Sequence, residues 1–206
     1  MKSFFLVGQA NVGKTLFLIN FAAYLRLSEL ELELIQPDGS RRQMQLPTER
    51  ARTLLVGSEP HSTRQLQSIT MTLPVRKGNK HFRMIDSTGL SDGIHHSTDV
   101  RKGMAQTLRQ LSQSELVLHM FDAAEIGKST SRPAAGSVLN EIDLHIAAYM
   151  NRRKSYAILA NKMDLPGSKA GMQKLRSLYP QHRIFPISAL YSQGFREVKS
   201  FVWGLL

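Results

Sequence analysis

Residues Gly8-Gln9-Ala10-Asn11-Val12-Gly13-Lys14-Thr15 decide how the rest of the chain is arranged. They follow an apolar run, Phe4-Phe5-Leu6-Val7, and precede Leu16, Phe17, Ile19, Asn20, Ala23 and Tyr24 at helical spacing. Strand, glycine loop and helix in that order form the setting of a phosphate-binding loop. Glycine lets the backbone curl so that successive N–H groups point at phosphate oxygens. The positive end of the following helix faces the same anion. The spacing assigns Gly8, Gln9, Ala10, Asn11, Val12, Gly13, Lys14, Thr15 and Leu16 to a nucleotide-phosphate cradle. Lys14 would reach the β- and γ-phosphates, and the Thr15 hydroxyl would hold Mg²⁺.

Outward from this loop, strands and helices alternate. Residues 3–7 form the first strand and 14–27 the first helix. Leu30, Leu32 and Leu34 then alternate with Glu29, Glu31 and Glu33, a period of two. Pro37-Asp38-Gly39 supplies a turn, and Gln43-Met44-Gln45-Leu46 alternates again. A hairpin over about 29–46 would oppose Leu32 to Met44 and Leu30 to Leu46, with Gly39 left-handed. Continuation of the first helix through Glu29–Ile35 is the rival reading. Pro47-Thr48-Glu49-Arg50 opens a short helix to about Leu55, and residues 57–61 form a loop.

Strands follow at 67–75 and 81–85, joined by a turn at Lys77-Gly78-Asn79-Lys80, and must be antiparallel to each other. A helix near 98–112, a strand at 115–121, a loop at 123–135 and a helix at 136–152 come next. A strand at 155–160, a helix at 168–178, a strand at 184–187 and a final helix at 192–205 complete the pattern. Such alternation specifies a layered α/β domain with a largely parallel sheet.

The 206 residues suit a single domain over 1–206 with an insertion at 28–58, and 42% hydrophobic content supports a sizeable core. The lack of cysteine excludes disulfides, thiolate metal sites and cysteine nucleophiles. Met1-Lys2-Ser3 and four apolar residues are too short for a signal peptide. No apolar run approaches the ~18 residues of a membrane span, so no transmembrane segment and a cytoplasmic location are expected. Twenty-seven Lys and Arg against 16 Asp and Glu give a charge of +11. That balance favours polyanionic partners, with a solvated basic surface as the plain alternative.

Two further segments carry chemistry. Asp86-Ser87-Thr88-Gly89 follows a strand, which puts Asp86 at the same sheet edge as the phosphate loop. Asp86 would hold Mg²⁺ through water, and the Gly89 amide would approach the γ-phosphate. Asn161-Lys162-Met163-Asp164 follows another strand. The Asp164 carboxylate can accept hydrogen bonds from guanine N1–H and N2, a donor pair that adenine lacks. The Lys162 stem would lie across the base, and Asn161 would tie this loop to the phosphate loop. At Ser188-Ala189 a small residue would let a backbone N–H meet guanine O6.

GQANVGKT, DSTG, NKMD and SAL, in that order from residue 8 to 189, resemble the motifs of Ras-like P-loop GTPases. The resemblance implies a three-layer P-loop NTPase fold: a mostly parallel six-stranded sheet with one antiparallel strand, plus the inserted β-hairpin. It also implies GTP and GDP as ligands, Mg²⁺ as the metal, and hydrolysis of GTP. Pro60-His61-Ser62-Thr63-Arg64 is similar to the first switch segment of the Era/TrmE/EngA branch. Thr63 would then bind Mg²⁺ and the γ-phosphate, with Thr70 and Thr72 as competitors. Lys14, Thr63 and Gly89 become the catalytic set, and Thr15, Thr63, Asp86 and Asn11 the metal set.

Asparagine at the Asn11 position is associated in this branch with K⁺, a charge that stands in for an arginine finger; the alternative is that Asn11 only pins the loop. Leu90 stands where Ras-like proteins carry the glutamine that orients water, so slow intrinsic hydrolysis is expected. The branch further implies a ribosomal RNA or ribosomal-particle partner in ribosome assembly and a nucleotide-dependent homodimer. Era carries an RNA-binding domain after its GTPase domain and EngA two GTPase domains; residues 1–206 would hold one GTPase domain, with the insertion at 28–58 as their difference from that branch.

A second hypothesis is a nucleotide-gated binding module with negligible hydrolysis, acting on a membrane or cell-division partner. An ATP-using P-loop enzyme is disfavoured by the NKMD segment. His95, His96 and Arg64 read as exposed loop residues or as ligand contacts. Arg41, Arg42, Arg50, Arg52, Arg76, Lys77, Lys80, His81 and Arg83 would form one basic patch for RNA phosphates.

Overall fold

A computed structural model describes residues 1–35, 40–55, 66–75, 78–87, 98–128, 139, 141–150 and 155–206. Strands β1 (Lys2–Val7), β2 (Glu29–Ile35), β3 (Arg41–Pro47), β4 (Leu66–Val75) and β5 (Gly78–Asp86) alternate with helices α1 (Lys14–Tyr24) and α2 (Thr48–Leu55). Helix α3 (Thr98–Gln113), strand β6 (Leu116–Asp122) and helices α4 (Ala123–Lys128) and α5 (Glu141–Met150) follow. Strand β7 (Tyr156–Asn161), helix α6 (Ser168–Leu178), strand β8 (Arg183–Pro186) and helix α7 (Phe195–Leu205) finish the fold.

The described strands form one sheet in the order β3-β2-β4-β5-β1-β6-β7-β8. From β5 to β8 every pairing is parallel. From β3 to β5 every pairing is antiparallel. The expected layered α/β fold is present, but its sheet has eight strands rather than six. The difference is the inserted hairpin. Strand β2 pairs with β4, Leu32 opposite Ile69, so the hairpin extends the sheet and two further antiparallel pairings arise. Strand β4 would otherwise be an edge with unpaired backbone groups, which the hairpin satisfies.

The hairpin register is the one its alternation dictates: Leu30 opposes Leu46 and Leu32 opposes Met44. A slip of one residue would turn every leucine to the other face. As paired, Leu30 and Leu32 are buried with Ile69 and Met71 beneath α2. The Pro37–Gly39 turn and the 57–61 loop lie outside the described residues.

Two cores sandwich the sheet. On one face Phe4, Leu6, Phe82, Leu118 and Leu159 meet Phe17, Phe21 and Phe195 from α1 and α7. On the other, Phe5, Val7, Val117, Phe121 and Ile158 meet α3, α5 and α6 through Leu111, Ile146 and Leu175. Strands β1, β6 and β7 are therefore buried on both faces, which explains their largely apolar sequences, with His119 the buried polar exception within β6.

Five local expectations need correction. The helix expected over 136–152 begins at Glu141, with Leu139 in a bend, and the helix expected over 192–205 begins at Phe195, after left-handed Ser192 and Gly194. Helix α1 ends at Tyr24 rather than residue 27, because Arg26 adopts a left-handed φ of 64°. The turn after β4 is tighter than residues 77–80, since Val75 already pairs with Gly78. Part of the segment read as a loop at 123–135 is helix α4. Asp122 caps it, accepting from the Glu125 N–H at 3.0 Å. The legible signal was an acidic cap followed three residues later by Glu125. Residues 129–135 lie outside the described residues.

Candidate functional site

The phosphate loop runs from the end of β1 into α1, at the carboxyl ends of the parallel strands. Its shape needs left-handed backbone: φ is 60° at Asn11 and 100° at Gly13. A Cβ at Gly13 would collide with the Asn161 amide nitrogen, so glycine is required there for both reasons. The Phe17 N–H bonds Gly13 O at 2.9 Å, which starts the helix directly after the loop.

Lys14 lies inside the curl, its Nζ donating to Gly8 O at 3.0 Å and Gln9 O at 2.6 Å. Burial pushes the ammonium below its usual range, against the opposing charges of Asp86 and Asp143. Thr15 Oγ1 donates to Asp86 Oδ2 at 2.5 Å. Burial raises the Asp86 carboxyl to about 6, opposed by Lys14 and by the Thr15 hydrogen bond. Asp86 Oδ1 is buried with no hydrogen-bond partner among the described residues. A hard cation prefers such oxygen donors, so the Thr15–Asp86 pair fits Mg²⁺ chemically. Of the other residues of the expected metal set, Asn11 is exposed on the phosphate loop and Thr63 lies outside the described residues, as do Gly89 of the catalytic set and Leu90, His95, His96 and Arg64.

At the base end, Asn161 is the junction. Its Nδ2 donates to Val12 O at 2.7 Å, and its Oδ1 accepts from the Ala189 N–H at 2.9 Å. One buried amide thus fastens the phosphate loop, the β7–α6 loop and the β8–α7 loop together. Asn20 on α1 adds a bond to Ala189 O at 2.7 Å. The Met163 N–H bonds Ile187 O at 3.1 Å, and Asp164 beside it is exposed at the same edge. Lys162 takes a left-handed φ of 65°, and its Nζ meets Asp122 Oδ2 at 2.6 Å.

At Ser188-Ala189, where a backbone N–H is expected to meet guanine O6, the Ser188 N–H bonds Gln193 O at 3.2 Å and the Ala189 N–H bonds Asn161 Oδ1 at 2.9 Å. Both bonds help to hold the loop's shape. Sequence reasoning passed over Asp122 and Asn20. Asp122 was marked by the cap pattern it forms with Glu125, at a strand's carboxyl end; Asn20 was marked only as an amide in an apolar helix.

The expected basic patch divides. Cross-strand partners share a face, so Arg41, Arg83 and His81 lie on the side of the hairpin sheet that carries Glu31 and Glu33. Arg42 and Lys80 lie on the opposite side. Glu33 binds both Arg41 and Arg83 at 3.2 Å, which neutralises part of the cluster. Arg76 and Lys77 lie outside the described residues.

A family model described as 50S ribosome-binding GTPase matches residues 45–162, more than half of the chain. The chain belongs to this GTPase family. GTPase Obg from Alkaliphilus oremlandii is 30% identical to this GTPase domain over 123 residues, 59% of this chain and 27% of that protein. GTPase Obg from Moorella thermoacetica is 32% identical over 126 residues, 61% and 28% respectively. The matched region therefore spans a little over a quarter of these curated relatives. Among solved structures, Aquifex aeolicus Era bound to GDP and aluminium fluoride superposes with a TM-score of 0.66. It is 18% identical and covers all of this chain and 57% of its own. The FeoB G-domain of Methanococcus jannaschii gives 0.52 at 19% identity, covering 100% and 98%. These two likenesses bear on the fold. No described helix is long and apolar enough to cross a membrane.

Proposed function

We propose that residues 1–206 are a GTP-binding switch domain, with 28–58 as an insertion, that transfers the γ-phosphoryl of GTP to water. The observation that carries this is the Asn161 junction. It joins the loop that would hold the phosphates to the loop that would read guanine, through Val12 O at 2.7 Å and the Ala189 N–H at 2.9 Å. Asp164 would select guanine, and the Lys162 stem would cover the base while Asp122 holds its ammonium. Ser188 and Ala189 would shape the base loop.

Catalysis would be mainly positioning and charge stabilisation. Lys14 would turn from the Gly8 and Gln9 carbonyls to the phosphate oxygens, which are stronger acceptors. Thr15, Thr63 and, through water, Asp86 would hold Mg²⁺, whose charge would offset that of the β- and γ-phosphates. Asn11 would add an oxygen ligand for K⁺. Thr63 and Gly89 would clamp the two switch segments in the GTP state and release them after hydrolysis. Such a switch suits a nucleotide-dependent homodimer and, given the +11 charge, an RNA-containing particle such as the ribosome.

The test is turnover of GTP in KCl against NaCl, with ATP as competitor. GTP binding that ATP does not displace, with hydrolysis stimulated by K⁺, is the expected result. Preferential binding of ATP would remove the assignment. Binding without turnover in either salt would favour the nucleotide-gated module, which Leu90 already supports.

A further inference from the structure

Behind the phosphate loop lies a buried polar chain that the nucleotide chemistry does not use. Gln9 Nε2 donates to Asp143 Oδ2 at 2.6 Å. Asp143 Oδ1 and His119 Nε2 are 2.9 Å apart, and His119 Nδ1 and the Tyr156 hydroxyl 2.8 Å. His119 is fully buried, Asp143 1% exposed and Tyr156 4% exposed. Four elements meet here: the loop after β1, helix α5, strand β6 and strand β7.

The hydrogen bonds converge on the Asp143 carboxylate from both sides. Tyr156 O–H donates to His119 Nδ1, His119 Nε2–H donates to Asp143, and the Gln9 amide donates to the second carboxylate oxygen. With that tautomer every buried polar atom of the chain has a partner, so the arrangement is rigid rather than frustrated. A carboxylate costs several kcal/mol to bury unless it is paired. A fold that needed only packing at these positions would use apolar residues at less expense. The outlet of the chain is Gln9, the second residue of the phosphate loop, immediately before Ala10 and Asn11. The negative charge of Asp143 also reaches Lys14, where it opposes the effect of burial.

We propose that Asp143, oriented by His119 and Tyr156, is a positioning residue that fixes Gln9 and so holds the phosphate loop in its nucleotide-binding shape. This rests on the nucleotide-binding reading above. An isolated loop with left-handed φ at Asn11 and Gly13 has many alternative conformations. A short charge-assisted bond to a buried acid removes them before the ligand arrives, which is preorganisation. Asp143 touches neither nucleotide nor metal in this scheme; it acts through Gln9.

The test is a double-mutant cycle in GDP affinity with Mg²⁺ present, using Q9M, D143N and the pair. D143N is expected to weaken GDP binding about tenfold, within the range that directly coupled residues show. Added to Q9M, it should change affinity less than about twofold, because the link is already cut. Equal losses in both backgrounds would overturn the proposal, as would a D143N protein that melts earlier but binds GDP as the wild type does. Should D143N fail to fold, the His119 ring N–H resonances of wild type and Q9M decide instead. GDP should shift them in the wild type and leave them still in Q9M. No response in the wild type while GDP binds would sink the idea. If the wild type does not bind GDP at all, the nucleotide reading has failed, and not the relay alone.

Discussion

At the residue scale the pocket depends on side chains that do two tasks at once. Asp86 accepts from Thr15 and keeps one oxygen in reserve. Its carboxyl is raised from the usual 3.8 to about 6, so the folded protein favours the protonated form. The stability this contributes is fully present below about pH 3.8 and is lost as pH rises through about 6. In EDTA without nucleotide, the wild-type melting temperature should fall relative to D86N over that window. Parallel curves would contradict the burial argument. With Mg²⁺ and GDP added at pH 7.5 the order should reverse, since the charged carboxylate serves the cation better than a neutral amide. Asp122 is the second such residue, capping α4 with one oxygen and holding Lys162 with the other. D122A should lower stability by about 1 kcal/mol through the lost cap. It should also weaken GDP binding several-fold by freeing Lys162; a melting shift with unchanged GDP affinity would separate the two roles.

Elements are positioned by close approach as much as by apolar area. Helix α4 lies against α6 because Gly127 and Gly171 present no side chains: a Cβ at Gly171 would collide with Ala123 O, and one at Gly127 with Gly167 O. Helix α4 starts directly after Asp122 at the end of β6, and α6 follows the loop that carries Asp164, so both stem from the base end of the site. Helix propensity alone favours alanine over glycine by roughly 0.5–1 kcal/mol. Overpacking against backbone should outweigh this, and G171A is expected to destabilise by about 1–3 kcal/mol in chemical denaturation. A neutral or stabilising result would mean that the two helices separate freely. The hairpin is the contrasting case: Leu30 and Leu32 are wholly buried, and the period of two that buries them is legible in the order of residues alone. What that period does not say is where the hairpin docks.

For the whole molecule, the eight-stranded sheet turns a parallel α/β core into a mixed one, with a polar face on the added hairpin. Glu33 sits there between Arg41 and Arg83. If the +11 charge draws the molecule to ribosomal particles, paired arginines should matter less than Arg42 and Lys80 on the opposite side. Co-sedimentation across a salt series should therefore suffer more from R42A/K80A than from R41A/R83A. The reverse order would move the docking face to the glutamate side.

Chemistry that follows from residue type and spacing was determined by the sequence itself. The glycine loop before Lys14, the acid at Asp86, the NKMD segment and the leucine alternation are each local, because backbone curl, strand period and hydrogen-bonding capacity act over a few residues. Even the hairpin register, Leu30 against Leu46, follows from a local period. The NKMD segment also anticipates one distant contact, the tie from Asn161 to the phosphate loop, made to Val12 across 149 residues. Other contacts between distant segments were decided only by the tertiary structure: the Asn161 bond to Ala189 and the Gln9–Asp143 bond, which spans 134 residues. No pattern in the chain encodes such a meeting. It arises because β1, β6 and β7 lie side by side, and a polar atom buried among them must find whatever partner the packing brings within reach.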